Sequence, residues 1–232
     1  MNSAKTHNIT TRISLYELYQ ILFNYYGSCH WWPGETPFEV IIGAILTQNT
    51  AWKNVETAIK NLKDRNILTP ERLEKVPLEE LALLIRSSGY YNQKARKIKS
   101  LLEYYKLNYN YKLDNISKVS LDVLREELLS VFGIGEETAD SILLYALNKP
   151  TFVIDAYTKR ILNRMGFFSY NTVSYRVLKQ FCEKSLPYDT ALFNEFHALF
   201  VKFGKTICQK KPHCFRCPVN DRCRYYISSS KK

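Results

Sequence analysis

Apolar residues recur along this chain at every third or fourth position, and strict alternation never persists, so the pattern predicts helices and no sheet. Leu15, Leu18, Tyr19 and Leu22 form the first stripe, with Ser14 and Glu17 spaced as a capping box and Gly27 as its stop. Thr36-Pro37-Phe38-Glu39 is a helix start, with Thr as N-cap and Pro in the first helical position. The stretch it opens, EVIIGAILTQ, is apolar nearly all round, which predicts a helix buried on most sides. Val55, Ile59 and Leu62 continue after Trp52. Thr69-Pro70 and Val76-Pro77 open further helices, the second running from Leu78 to Ser87 and ending at Ser88-Gly89.

The following stripe, Ala95, Ile98, Leu101 and Leu102, faces inward from a helix whose other residues include Lys94, Arg96, Lys97 and Lys99. Such a charge run reads first as a solvated face. Residues 106–119 read as a loop. Ser120 then caps LDVLREELLSVF, which ends at Gly133-Ile134-Gly135. Ala139, Ile142, Leu143 and Ala146 form the next apolar face, and Lys149-Pro150 stops it. Helices are also expected over 156–165, 173–184 and 189–204. The fold class is all-α.

The Gly133-Ile134-Gly135 turn is the chemically suggestive part of this pattern. Glycines admit backbone conformations that a side chain forbids, and they let another backbone come close. Amide groups at the start of the next helix, beside Glu136 and Glu137, could hold an anion without a basic side chain. An ordinary helix corner explains the same two glycines. Charge favours the anion: the chain of 232 residues has a net charge of +11 and a pI near 9.3. A polyanionic partner is expected, nucleic acid ahead of an anionic membrane. No apolar run approaches the ~20 residues a bilayer span needs, and the polar N-terminus lacks a signal-peptide core. The expectation is a soluble cytoplasmic protein, nucleoid-associated if prokaryotic.

Four of the six cysteines fall within sixteen residues, spaced Cys208-x5-Cys214-x2-Cys217-x5-Cys223. Four thiolates suit tetrahedral zinc or a [4Fe–4S] cluster. Structural zinc commonly uses two Cys-x2-Cys knuckles, and only one is present, so the spacing favours iron–sulfur. Lys205, Lys210, Lys211, Arg216, Arg222 and Arg224 surround the cysteines, and those facing outward could meet phosphate. Cys29 and Cys182 read as ordinary thiols.

Taken together, VFGIGEETAD, PTFVIDAYTKRILNRMG and the cysteine loop, supported by AILTQNT and GYYNQKARKI, resemble the endonuclease III family of DNA glycosylases, within the helix-hairpin-helix-GPD superfamily. The resemblance covers roughly residues 15 to 226. It implies two helical domains: a six-helix barrel with the helix-hairpin-helix over 28–148, and a discontinuous domain from 1–27 and 149–232 carrying the cluster, with the active site in the cleft between them. It implies excision of a damaged base flipped out of double-stranded DNA by a monomer. Asp155 matches the catalytic aspartate, which stabilises the oxocarbenium-like sugar and activates water. Gly133 and Gly135 match the phosphate grip, and Gln48 and Tyr90 the side chains that fill the gap in the duplex. Lys210, Lys211 and Arg216 are further DNA-binding candidates. The first two cysteines are one residue closer than the family's usual six.

Glu137 stands where strand-cutting members carry a lysine nucleophile. A carboxylate forms no imine, so the implied activity is monofunctional, with water attacking and lyase activity absent or weak. The pattern also resembles the 3-methyladenine glycosylase III type, which shares the Trp-Trp-Pro loop. Trp31, Trp32, Pro33 and Trp52 are then the base pocket, where an N3-alkylated adenine, being cationic, gains roughly 0.5–2 kcal/mol from each aromatic face. Those tryptophans could equally cap the core. Other lesions (uracil, mismatched thymine, an oxidised pyrimidine), a non-catalytic damaged-DNA binder and a zinc-stabilised interaction domain remain alternatives.

Overall fold

The computed structural model describes residues 12–32, 34–168 and 173–229. Among these the regular structure is helical: α1 (Leu15–Tyr26), α2 (Pro37–Leu46), α3 (Trp52–Asp64), α4 (Pro70–Lys75), α5 (Leu78–Leu84), α6 (Tyr91–Tyr109), α7 (Leu113–Ser117), α8 (Leu121–Ser130), α9 (Glu136–Ser141, continued by a π-helical turn over Ile142–Ala146), α10 (Ala156–Met165), α11 (Tyr175–Ser185), α12 (Thr190–Thr206) and α13 (Arg224–Ser229). The all-α reading holds. No helix among the described residues is long and apolar enough to cross a membrane. The chain forms two compact units, Trp32–Pro150 and a discontinuous one from 1–31 with 151–232.

In the unit Trp32–Pro150, α2 is the hub. It packs on α3, α6, α9 and the π-helical turn, and Phe38 to Leu46 are all buried. A helix with neighbours on every side has no face to leave polar, which explains its run of apolar residues. Thr36 caps it through the Glu39 amide at 3.1 Å, with Pro37 next. Val55, Leu62, Leu81, Ile98, Leu124 and Leu143 close the core around it.

The expected loop over 106–119 is corrected. α6 continues to Tyr109, and α7 follows, because Tyr105, Tyr109 and Ile116 are buried in the same core. The Tyr104 and Tyr109 hydroxyls both donate to Glu127 on α8. That pairing satisfies polar ends that burial would otherwise leave costly. Two left-handed residues, Asn110 and Tyr111, make the turn between the helices.

In the discontinuous unit, α12 plays the central part with aromatic side chains. Phe193, Phe196, Phe200 and Phe203 are buried, and Phe152 meets the first three edge-on at centroid distances of 5.6, 6.0 and 6.5 Å. Edge-to-face contact is the favoured aromatic geometry. α1 lays Leu15, Leu18 and Leu22 against this unit, capped by Ser14 and Glu17 in a reciprocal box. α12 does not stop at Gly204 as expected. It runs to Thr206, and the glycine lets the Tyr157 ring pass where a Cβ would lie 2.4 Å from Tyr157 Cδ1.

Candidate functional site

Residues 151–155 enter α10 as a buried, non-helical segment, so their amides need partners from side chains. Glu183 accepts from the Phe152 amide at 3.0 Å, and the Tyr175 hydroxyl from the Ile154 amide at 3.3 Å. The segment ends on Asp155, the N-cap of α10. Its Oδ1 accepts from the Thr158 amide at 2.7 Å, and the residue is 9% exposed. Its Oδ2 lies 3.7 Å from His197 Nε2 on α12. Burial pushes the His197 imidazole down, against the raising pull of the Asp155 charge. One oxygen of Asp155 thus holds the helix while the other faces His197.

α10 also holds the cysteine loop. Arg160 donates to the carbonyls of Cys208 (2.9 Å) and Gly204 (3.0 Å), and Arg164 to those of Gln209 and Lys210. Arg164 Nη1 is 3.3 Å from Cys208 Sγ. The guanidinium of Arg160 stacks on Tyr157, and that of Arg164 on Tyr225. Sequence reasoning did not single out either arginine. The signal was their i, i+4 spacing on a helix that begins at Asp155.

Cys208, Cys214, Cys217 and Cys223 line one hollow, together with Arg164 and Tyr225. Burial, with the other three cysteines adding to it, pushes the Cys217 thiol up to about 12. Burial also raises Cys214 and Cys223, with Arg164 lowering Cys214. Cys208 and Cys223 are buried and Cys214 and Cys217 half-buried; thiolates gathered around one hollow repel one another unless a positive centre lies among them, so the donor set fits a cationic cluster. Among the described residues, no three or more His, Cys, Asp or Glu converge closely enough to grip one metal ion. Lys210, Lys211 and Arg216 are exposed on this loop, beside Phe215 at 78% exposure.

In the unit Trp32–Pro150, the hairpin between α8 and α9 treats its two glycines differently. Gly133 has φ +81, and a Cβ there would lie 2.3 Å from Lys97 Cγ. Gly135 has φ −96 and open space around it, so the expectation that it needs a glycine-only backbone is corrected. Gly135 is also the N-cap of α9 with no side-chain cap. Arg125 fixes the hairpin's second helix through two bonds to the buried Asp140, at 2.9 and 3.1 Å. Glu137 is exposed on the first turn of α9.

Gln48 reaches this hairpin. Its Nε2 donates to the Gly133 carbonyl (3.2 Å) and to Thr138 Oγ1 (2.9 Å), and its Oε1 accepts from Lys97. Tyr90 stands on a turn with Gly89, both at positive φ (48° and 69°), and is 67% exposed.

The solvated-face reading of the basic run holds for Arg96, which is exposed, and is corrected for Lys94, Lys97 and Lys99. Lys94 is 1% exposed and donates to the Leu46 and Ser88 carbonyls at 2.8 and 2.7 Å. Burial, with Lys97 nearby, pushes its ammonium down to about 8. Lys99 donates to the carbonyls of Leu73, Glu74 and Val76.

Trp32 and Trp52 meet at right angles with centroids 5.2 Å apart, and Tyr145 lies 5.0 Å from Trp32. All three are half-buried. Tyr145 is a third aromatic member that sequence reasoning missed. Trp31 belongs to the discontinuous unit, where Lys205 lies 6.0 Å over its ring. Pro33 lies outside the described residues.

Residues 42–187 match the model of HhH-GPD superfamily base excision DNA repair proteins. A putative DNA repair glycosylase of Methanocaldococcus jannaschii is 46% identical over 90% of this chain and 95% of its own length. Endonuclease III of Thermotoga maritima is 33% identical over 84% of this chain and 86% of its own. Among solved structures, a trapped endonuclease III–DNA covalent intermediate matches with a TM-score of 0.80 at 26% identity, over 93% of this chain and 96% of that one. The H. pylori 3-methyladenine DNA glycosylase bound to 1,N6-ethenoadenine matches with a TM-score of 0.73 at 28% identity, over 83% and 98%.

Proposed function

The chain belongs to the HhH-GPD superfamily of base excision DNA repair proteins, a DNA glycosylase acting on damaged DNA, and from that premise we propose that it is monofunctional and removes an alkylated purine with water as nucleophile. The reading is carried by two carboxylates, one in each unit, where the resemblance implies a carboxylate and, in strand-cutting members, a lysine. Asp155 is a buried helix cap with its second oxygen uncommitted to the cap. Glu137 occupies the first turn of α9.

As the glycosidic bond breaks, positive charge grows on the deoxyribose. The Asp155 carboxylate stabilises that charge and orients or deprotonates the attacking water. Because the carboxylate is already fixed by the Thr158 amide, it needs little reorganisation at the moment of reaction. Glu137 has no amine with which to form a Schiff base, so the strand stays intact. The uncapped amides after Gly135 and the open space around it suit a backbone phosphate. Gln48 and Tyr90 act at the gap that the flipped base leaves.

For the base, Trp32, Trp52 and Tyr145 offer aromatic faces that attract a cationic ring, and the H. pylori relative was solved with a modified adenine base. The endonuclease III relatives are the reason to test other lesions beside alkylated purines. The four cysteines would hold a [4Fe–4S] cluster, because thiols spread around a shared hollow suit a polynuclear group better than one ion. Bound there, the cluster would supply structural cross-linking of the loop that carries Lys210, Lys211 and Arg216.

A lesion panel with wild type beside Asp155→Asn tests the reading. Asparagine caps a helix as well as aspartate does, so Asp155→Asn isolates the chemistry. We expect methylpurine excision to fall by about 10²–10³-fold with the melting temperature nearly unchanged. Persistence of excision in Asp155→Asn, or wild-type protein trapped on DNA by borohydride, would reject the mechanism.

A further inference from the structure

α6 carries a lysine that the chemistry above does not use. Lys94 is almost fully buried, and a buried ammonium is costly unless its protons are placed. They are placed on two carbonyls that lie 42 residues apart in sequence. Leu46 is the last residue of α2, so its carbonyl is at the negative end of a helix. Ser88 ends the short helical turn after α5. Each of these carbonyls sits two residues before a residue of interest: Gln48 follows Leu46, and Tyr90 follows Ser88.

Both segments then leave helical geometry within three residues. Asn49 has φ 53, Gly89 φ 69 and Tyr90 φ 48. Non-glycine residues held at positive φ store strain, and they persist only where the surroundings over-determine them. The Lys94 amide also bonds the Tyr90 carbonyl at 3.0 Å. One turn further along α6, Lys97 holds the Gln48 side chain and lies along Gly133. A single helix therefore grips the ends of both exposed turns.

We infer that Lys94 is a positioning residue: its ammonium locks the Gln48 and Tyr90 segments in one register, so that both enter lesion-bearing duplex together. This rests on the assignment of those two side chains to the gap left by the flipped base. Filling that gap from two segments demands a fixed spacing, since a shift of about 1 Å in a positioned group can cost two orders of magnitude. Lys99 provides an internal control. It clamps three carbonyls at the end of α4 in the same manner, from the same helix, but touches neither segment.

The test compares Lys94→Met with Lys99→Met for binding to two duplexes, one undamaged and one carrying a tetrahydrofuran abasic analogue. The analogue cannot be excised, so the readout depends neither on the base preferred nor on Asp155. We expect Lys94→Met to lose at least about tenfold in affinity for the analogue duplex, while undamaged duplex, held through phosphates, changes by less than about twofold. Lys99→Met should lower the melting temperature and leave the ratio of the two affinities unchanged. If Lys94→Met is not recovered folded, Lys94→Arg replaces it. Arginine keeps the donors but moves them, and should lose the same preference in part. Wild-type preference in the folded lysine variant overturns the inference, and so does an equal loss from Lys99→Met. A wild type with no preference for the analogue duplex would instead reject the underlying assignment of Gln48 and Tyr90, and this inference with it.

Discussion

The basic run at 94–99 and the basic run around the cysteines look alike as sequence, and the fold uses them in opposite ways. On α6, Lys94, Lys97 and Lys99 all donate to oxygens of the protein itself. On the cysteine loop, Lys210, Lys211 and Arg216 point into solvent, while the cations that secure the loop, Arg160 and Arg164, come from α10. The difference follows from where helix ends lie. α6 passes the C-terminal carbonyls of α2, of the turn after α5 and of α4, and an ammonium is a compact multiple donor for such groups. The cysteine loop has its carbonyls already taken by guanidinium forks, which match paired acceptors better. Charge density along a sequence therefore does not say which cations are available to DNA.

The largest effect that separates the two runs is on stability. Lys94→Met leaves two carbonyls without their charged donor and should cost about 2–4 kcal/mol. Lys210→Ala or Lys211→Ala, at exposed positions, should stay within about 0.5 kcal/mol of wild type. Denaturant melts of the three variants decide it. Equal stabilities would mean that the α6 lysines are as dispensable as surface charges.

The next effect, smaller in energy, runs the other way. Each exposed loop cation that pairs with a phosphate should lower the slope of log affinity against log salt by about 0.9. Titrations of undamaged duplex with Lys210→Ala, Lys211→Ala and Arg216→Ala should show it, and Lys99→Met should leave the slope where it was. Should Lys99→Met flatten the slope while the loop variants do not, the two runs have been assigned the wrong way round.

The same contrast marks what the sequence could convey. Helix positions were legible where a stripe and a cap coincide, as at Ser14 with Leu15 or Thr36 with Pro37, because both signals are local. The nearly unbroken apolar run of α2 also foretold its place at the hub. Residues 106–119 were misread because the signal for burial there is tyrosine, and a tyrosine is buried only when its hydroxyl finds a partner such as Glu127, which lies on another helix. Asp155 was visible through its setting in a familiar motif, and its cap on the Thr158 amide is local, but its neighbour His197 depends on how α10 and α12 meet. Gly133 was read correctly as a position for glycine, while Gly135 carries no backbone strain. Lys94 was the most misleading residue, since nothing local distinguishes a lysine that bridges two distant carbonyls from one that faces water.

The smallest effect is a pH dependence that belongs to Lys94 alone. Its ammonium is pushed down to about 8 by burial, with Lys97 adding like charge, against roughly 10.4 in the unfolded chain. Between these values the unfolded chain binds more protons than the folded one, so this group makes stability rise with pH across that window. Below about pH 8 both states carry the proton, and the cost of burying the charge is present in full. A neutral amine still has two protons for the two carbonyls, so the clamp survives deprotonation. The stability difference between wild type and Lys94→Met should therefore widen in favour of wild type from pH 8 to 10, while other titrating groups cancel in the comparison. A gap that narrows with rising pH would show that the clamp requires the charge rather than only the donors, and would place Lys94 closer to an ion-dipole lock on the end of α2 than to a simple pair of hydrogen bonds.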